Sequence, residues 1–323
     1  MIAALQETHP QQDRTARSQR PVIASLRSVS KNYEAIHALR KVDFTVRAGE
    51  LVALLGPNGA GKTTAVKLFL GLASPSAGTV SVFGGNPVRS EVRMRIGAML
   101  QVAKVPETLR VREHIDLFSS YYMNPLPLAE TLAIAGLEEI RDRVFGDLSG
   151  GQRQRLLFAL SVCGDPDLLF LDEPTVGLDV EARRLLWTQI RKLVARGKTV
   201  LLTTHYLEEA DALADRIVVI NQGEIIAEGT PAEIKAKTSG RRIRCVSSLD
   251  VETVRDMPGV LEVQETRGAL EIRVREAEPV LRELLLRDAE LSGIEVTSAG
   301  LEEAFLALTQ NGNSTSQETA GRK

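Results

Sequence analysis

Residues 56–64 read Gly-Pro-Asn-Gly-Ala-Gly-Lys-Thr-Thr and directly follow the apolar run Leu51-Val52-Ala53-Leu54-Leu55. This is G-x-x-x-x-G-K-[ST] at the end of a strand pattern and the start of a helix pattern, the context in which that spacing builds a phosphate cradle. Gly56, Gly59 and Gly61 let the backbone turn tightly, so that successive N–H groups of the loop point inward at an anion, with Pro57, Asn58 and Ala60 as the residues between the glycines. The helix opening near Gly61 adds its positive end. Lys62 can reach the β- and γ-phosphates of a nucleotide, the Thr63 hydroxyl can ligate Mg²⁺, and Thr64 completes the motif.

A second group of residues supplies acid–base chemistry. Leu168-Leu169-Phe170-Leu171-Asp172-Glu173 is an apolar strand that ends in two carboxylates. In open α/β sheets, ligands sit at the carboxyl ends of strands. Asp172 is suited to holding Mg²⁺, directly or through water, and Glu173 to orienting or deprotonating a water that attacks the γ-phosphorus. A third group, Leu148-Ser149-Gly150-Gly151-Gln152, opens another helix. Ser149 is a good N-cap and the two glycines expose backbone N–H groups at the positive helix end. One nucleotide does not need two anion cradles in one chain. The economical reading is that the second cradle closes on the nucleotide of another subunit.

The elements that must position these groups follow from pattern. Val42, Phe44 and Val46 alternate with polar residues, as in a half-buried strand, and Leu168–Leu171, Thr199–Leu202 and Ile217–Ile220 read as buried strands. Helical patterns cover Gly61–Leu72, Val111–Met123, Gly151–Cys163 and Val180–Ala195, the last with Leu186, Trp187, Ile190, Leu193 and Val194 on one face. Strands alternating with helices predict an α/β domain with a largely parallel sheet covered on both sides. Residues 102–147 read as a helical insert punctuated by Pro106, Pro125 and Pro127. Asn221-Gln222-Gly223 reads as a hairpin turn. The α/β domain is expected over 21–239. Residues 240–309 follow a β-α-β-β-α-β order, a small ferredoxin-like α+β domain. Residues 1–20 and 310–323 read as disordered tails.

Composition narrows the class. The chain has 323 residues with 40 basic and 42 acidic side chains, so no global positive field favours nucleic acid. Its two cysteines, Cys163 and Cys245, exclude a disulfide framework and fit a reducing compartment. No apolar run approaches the ~20 residues that span a bilayer, and the N-terminus lacks the apolar core of a secretory signal.

Taken together, these motifs resemble the ATP-binding subunit of an ABC transporter over roughly residues 22–235. Gly56–Thr64 matches Walker A, Leu148–Gln152 the family signature, and Leu168–Glu173 Walker B with its catalytic glutamate. Gly177-Leu178-Asp179 is similar to the D-loop, with Gly177 where many members have Ser or Ala. His205 matches the switch histidine, Gln101 the Q-loop glutamine that senses Mg²⁺ or water, and Tyr33 the aromatic that stacks on adenine. The resemblance implies ATP and Mg²⁺ as cofactors, Glu173 and His205 as catalytic residues, and Thr63, Gln101 and Asp172 at the metal. It further implies a head-to-tail dimer on the cytoplasmic face of the cell membrane, held there by a separate integral membrane permease. The segments 223–231 and 301–309 resemble the drug- and antibiotic-exporter class with ABC-2 type permeases. Leu301, Phe305 and Leu308 form one apolar face and read as packing. Phe118, Tyr121 and Tyr122 read equally well as a permease-docking surface or as the insert's core. The alternative is a soluble ABC ATPase working on ribosomes or in DNA repair; this chain has one cassette, no cysteine cluster and no heptad run. A regulator that senses a small molecule through the C-terminal domain is the weaker third reading.

Overall fold

The structure, a computed structural model, describes residues 20–101, 105–236, 241–266 and 268–298, and residues 301, 302, 305, 308 and 309 of the last segment. The expected tails, apart from Arg20, and residues 102–104 of the expected insert lie outside it. The chain divides into two compact units between Ile225 and Ile226.

The first unit runs through β1 (Val22–Tyr33), β2 (Ile36–Arg47), β3 (Leu51–Leu55), α1 (Lys62–Phe69), β4 (Ala77–Val82), α2 (Ser90–Arg93) and β5 (Ile96–Met99). It continues through α3 (Val111–Ser119), α4 (Leu128–Ala135), two short 3-10 turns, α5 (Gly150–Val162), β6 (Leu168–Asp172) and α6 (Val180–Ala195). It closes with β7 (Thr199–Thr204), α7 (Leu207–Leu213), β8 (Arg216–Asn221) and the start of β9 (Glu224–Gly229). Six strands form one sheet in the order β5-β6-β7-β3-β8-β9, and an antiparallel three-stranded sheet has the order β2-β1-β4. The pairs β5/β6, β6/β7, β7/β3 and β3/β8 are parallel.

The central strands are apolar throughout because both of their faces are buried. Val52, Leu54, Leu168, Phe170 and Leu201 face a core shared with β1, β2 and α1. Their neighbours Leu51, Leu169, Leu171, Val200 and Leu202 face a second core with α3, α4, α5 and α6. In the first core Phe69 stacks on Phe170 with ring centroids 5.7 Å apart and meets Phe44 edge-on at 5.8 Å. Val42, Phe44 and Val46 are all buried, as their alternation requires. On α6, Leu186, Ile190 and Leu193 are buried and Trp187 and Val194 partly so. The Gln222-Gly223 turn has φ of 48° and 81°, positive at both central residues as a tight hairpin demands.

The helical patterns overran in two places. The first helix stops at Phe69, not Leu72, because Gly71 adopts φ 64°, the left-handed stop that glycine permits. The helix from Val111 ends at Ser119, not Met123. Phe118 and Tyr122 pack against the second core, whereas Tyr121 is 63% exposed.

The second unit contains α8 (Pro231–Ala236), β10 (Arg241–Val246), α9 (Val251–Arg255), β11 (Val260–Thr266), β12 (Ala269–Val274), α10 (Ala277–Arg287) and β13 (Ser292–Ser298). Its sheet order is β11-β12-β10-β13, antiparallel at every pairing, which is the split βαβ arrangement. Ile243, Cys245, Ile272 and Val274 face α9 and α10 across a single core with Val254, Val280 and Leu284.

Candidate nucleotide site

Strand register gathers the chemistry. Asp172 pairs with Thr203, and Leu55, one residue before the phosphate loop, pairs with Thr204. Three adjacent parallel strands, β6, β7 and β3, therefore end at one sheet edge and deliver Asp172, His205 and Gly56 there. Strand β5, next to β6, brings Gln101 to the same edge, since its Met99 pairs with Leu171.

The loop that starts the site needs its glycines. A Cβ on Gly56 would lie 2.4 Å from the Ile220 carbonyl oxygen. Gly61 has φ 109°, and a Cβ there would meet the Ala38 carbonyl oxygen at 2.6 Å, so the backbone turn and the close packing both exclude a side chain. The turn opens α1 at Lys62, which is only 5% exposed. Lys62 Nζ donates to the carbonyls of Gly56 at 2.8 Å and Pro57 at 3.1 Å. Burial pulls the Lys62 pKa down, while the Glu173 and Asp172 carboxylates push it up.

Glu173 stands at the centre. Its Oε1 lies 3.6 Å from Lys62 Nζ and 3.2 Å from His205 Nδ1, and its Oε2 accepts from Gln101 Nε2 at 3.3 Å. Three loops thus converge on one carboxylate that is 8% exposed. Its backbone has φ 52°, a conformation that non-glycine residues seldom adopt. Thr203 holds it there: the Glu173 N–H donates to the Thr203 carbonyl at 3.1 Å and to Thr203 Oγ1 at 3.1 Å. Thr203 Oγ1 also donates to Asp172 Oδ1. Thr63 Oγ1 approaches the same oxygen at 3.4 Å. Asp172 Oδ2 is buried with no hydrogen-bond partner among the described residues.

The remaining predicted residues fall elsewhere. Ser149 caps α5 in a reciprocal box: its hydroxyl accepts from the Gln152 N–H at 3.3 Å, and Gln152 Oε1 accepts from the Ser149 N–H at 3.0 Å. Gly150 has open space where a side chain would be. Asp179 caps α6, accepting from the Ala182 N–H at 2.8 Å. Tyr33, at the β1–β2 hairpin, is 42% exposed with Lys31 Nζ 4.7 Å from its ring centroid. A broad cleft of about 900 Å³ lined by Ser30, Asn32, His37, Lys41, Asp43 and Glu224 contains none of the predicted site residues. The clustering at the sheet edge, not cleft size, marks the candidate site.

Sequence reading missed Thr203, whose hydroxyl serves both carboxylate residues, and Gln154, whose side chain donates to the Pro174 carbonyl at 3.1 Å just after Glu173. The Thr203-Thr204 pair that ends the apolar run Val200–Leu202, directly before His205, was the available signal for Thr203. Glu209 is fully buried on α7, beside Ala210 and in register with Leu213. An acid among the inward-facing positions of a short helix was the available signal there.

Comparison with known proteins agrees with this arrangement. The family described as ABC transporter matches residues 39–176, and the ATP-binding protein DrrA1-3-like C-terminal domain matches residues 229–309. The Nod factor export ATP-binding protein I of Burkholderia lata is 40% identical over 295 residues, covering 88% of this chain and 95% of that protein. Its counterpart from Cupriavidus metallidurans is 39% identical over 298 residues, covering 89% and 97%. Among solved structures, an ATP-binding subunit of an ABC transporter superposes with a TM-score of 0.61 at 30% identity, covering 67% of this chain and 92% of that one. The ATP-binding cassette MJ0796, described as dimeric, post-hydrolysis and bound to ADP and Pi, gives 0.60 at 27% identity, covering 64% and 98%. No helix among the described residues is long and apolar enough to cross a membrane. A phosphate loop, a paired-carboxylate strand and a βαββαβ unit in this order, on a chain alignable almost end to end with export subunits, leave one conclusion: it belongs to the ABC transporter family, as an ATP-hydrolysing, ATP-binding subunit of the exporter kind.

Proposed function

We propose that this chain hydrolyses ATP at the sheet edge to drive export through a separate membrane permease, on the cytoplasmic face of the membrane, and that two copies pair head to tail around two ATP molecules. The observation that carries the catalytic part is the convergence of Lys62, Gln101 and His205 on Glu173. The loop N–H groups and Lys62 hold the phosphates, and Tyr33 stacks on the adenine. Glu173 orients the attacking water and takes its proton, and His205 contacts the γ-phosphate or that water. Ser149, Gly150, Gly151, Gln152 and Asp179 complete the site of the opposite subunit.

The donor set also suits Mg²⁺. Asp172 Oδ2 is a buried carboxylate oxygen without a partner among the described residues, and the Thr63 hydroxyl points at the same side chain. Gln101 supplies a further oxygen. These are hard oxygen donors, and Mg²⁺ is commonly held by one or two carboxylates together with substrate phosphates. When bound, it neutralises charge that develops on the β- and γ-phosphate oxygens. The relatives named for export favour this reading over a ribosome- or repair-associated ATPase.

Replacing Glu173 by Gln keeps its size and removes its basicity. The expected result is intact ATP binding with turnover reduced by roughly 10²–10⁴-fold, the usual size of a general-base contribution. Unconsumed ATP should then hold the paired subunits together on size-exclusion chromatography. Near-normal hydrolysis by this variant would remove Glu173 from the catalytic role.

A further inference from the structure

The Glu173 side chain ends one chain of contacts that continues, through His205, into a buried region the hydrolytic site does not use. His205 lies against Tyr206, with ring centroids 4.1 Å apart. The Arg183 guanidinium sits 5.1 Å from the Tyr206 ring centroid. One turn further along α6, Trp187 Nε1 donates to Glu209 Oε1 at 3.0 Å. Arg183 and Trp187 are four residues apart and so share a helix face. Asp179, four residues before Arg183, caps the same helix. Thus α6 begins at the Gly177–Asp179 turn and grips the His205 segment twice, once at Tyr206 and once at Glu209.

Glu209 is the buried end of this grip. It is fully inaccessible, and its Oε2, Thr175 Oγ1 and Arg183 Nε are all buried without hydrogen-bond partners among the described residues. Burial pushes its carboxyl pKa up, while Thr204, Trp187 and Thr175 beside it and the Arg183 charge pull it down. Thr204 directly precedes His205, and Thr175 follows Glu173 by two residues. The groups around Glu209 therefore come from both catalytic loops and from the helix that follows the turn. Nothing in the hydrolytic chemistry requires an acid here; a leucine would bury more cheaply.

We infer that Glu209 is a positioning residue: by holding Trp187 it locks α7 to α6, so that the Gly177–Asp179 turn and His205 move as one body and His205 keeps its contact with Glu173 when two subunits pair at that turn. The inference rests on the hydrolytic roles proposed above for His205 and Glu173.

The test uses the whole chain, whose one tryptophan is Trp187, so that its emission reports the contact directly. Glu209→Ala should lower kcat by about 10-fold or more while KM for MgATP stays within about 2-fold, the pattern of a contact that matters after binding. Glu209→Gln keeps an acceptor for the indole and should restore kcat to within about 3-fold of wild type. Trp187→Phe should lower kcat in the same way, and adding Glu209→Ala to it should cost little more, because both break one contact. Trp187 emission of folded Glu209→Ala should differ from that of wild type and Glu209→Gln without nucleotide. Wild-type kcat in folded Glu209→Ala, additive losses in the double variant, or unchanged emission would each overturn the inference. If Glu209→Ala does not fold, Trp187→Phe and Glu209→Gln carry the kinetic test, and wild-type kcat in Trp187→Phe overturns it. A wild-type protein that hydrolyses no ATP would instead refute the hydrolytic reading, and the emission comparison still decides whether the grip exists.

Discussion

The two units treat buried polar groups in opposite ways. In the first, Asp172 Oδ2, Thr175 Oγ1, Arg183 Nε, Glu209 Oε2, Thr131 Oγ1 and both ring nitrogens of His114 are buried without partners among the described residues. In the second, Asp288 is 3% exposed yet fully engaged. Its Oδ2 accepts from Ser247 Oγ at 2.6 Å and the Ser248 N–H at 2.7 Å, and its Oδ1 from Ser248 Oγ at 2.9 Å and the Glu290 N–H at 3.0 Å. Those bonds hold the carboxyl pKa down at about 2. An orphaned buried group lowers stability unless something else compensates. The contrast separates Asp172, which keeps an acceptor free at the sheet edge, from Asp288, which uses every acceptor to fix its loops; the first unit builds one such fixed acid as well, Glu50 on Arg216.

The sharpest way to break this contrast is at Lys62. If the buried ammonium is held ready for phosphates, Lys62→Ala should weaken ATP binding by about 10–100-fold or more, the worth of a charge-assisted contact. Its thermal stability should change less than its affinity, because removing the ammonium also relieves the cost of burying it, the largest influence on its pKa. Unchanged affinity by calorimetry would make Lys62 a structural residue like Asp288.

The composite arrangement is the next test. Ser149→Arg places a bulky cation in the second cradle and removes an N-cap worth about 0.5–2 kcal/mol. It should leave ATP binding to the single subunit intact but stop ATP-dependent pairing and hydrolysis. Mixed with Lys62→Ala subunits, both lesions fall in one composite site of a mixed dimer and the other site is built from intact halves. Measurable hydrolysis should return on mixing. No recovery, or wild-type pairing by the Ser149→Arg protein alone, would end the trans-acting role of the signature.

These experiments probe a site whose parts were unequally legible. Lys62, Asp172 and Glu173 could be read because their spacing is local: a loop flanked by one strand and one helix, and a strand ending in acids. The βαββαβ order of the second unit was legible for the same reason, since each element carries its own period. Residues that act across the sheet were not. Thr203 matters only because β7 lies beside β6 in a register that puts it opposite Asp172. Glu209 matters only because α6 packs over α7. Of the three-stranded sheet only the Val42–Val46 part of β2 was read; β1 was not, because it changes register at several points, among them Leu26 to Val29, where Ser28 has φ 48°. That irregularity erases the alternation that identifies a strand.

A milder comparison asks what each buried carboxylate does for the fold. Asp288→Asn leaves one oxygen to serve four donors and should lower the thermal midpoint of the second unit. Asp172→Asn should abolish hydrolysis yet cost the nucleotide-free protein less stability than the change at Asp288, since Oδ2 gives up no hydrogen bond. Paired melting curves decide it. A larger loss at Asp172 would mean that its carboxylate is structural.

The smallest effect is the pH at which each unit loosens. His114 is buried on α3 against Phe145, with ring centroids 5.5 Å apart. Burial lowers its pKa, with the Pro106 carbonyl and Glu113 opposing. The unfolded chain, with a histidine pKa near ~6.5, then takes up a proton before the folded one does, so stability falls as pH drops below that value. Asp288 behaves differently. Its folded pKa of about 2 lies below the unfolded value of ~3.9, so its contribution is present above that value and disappears as pH falls toward 2. Amide-exchange protection factors across 111–135, which remove the intrinsic pH dependence of exchange, should therefore fall between pH 7 and 5, while those across 241–298 hold until below about pH 4. His114→Leu should flatten the first response and leave the second untouched. Simultaneous loosening of both segments, or a His114→Leu protein with the wild-type pH response, would show that the buried imidazole does not set the acid sensitivity of the first unit.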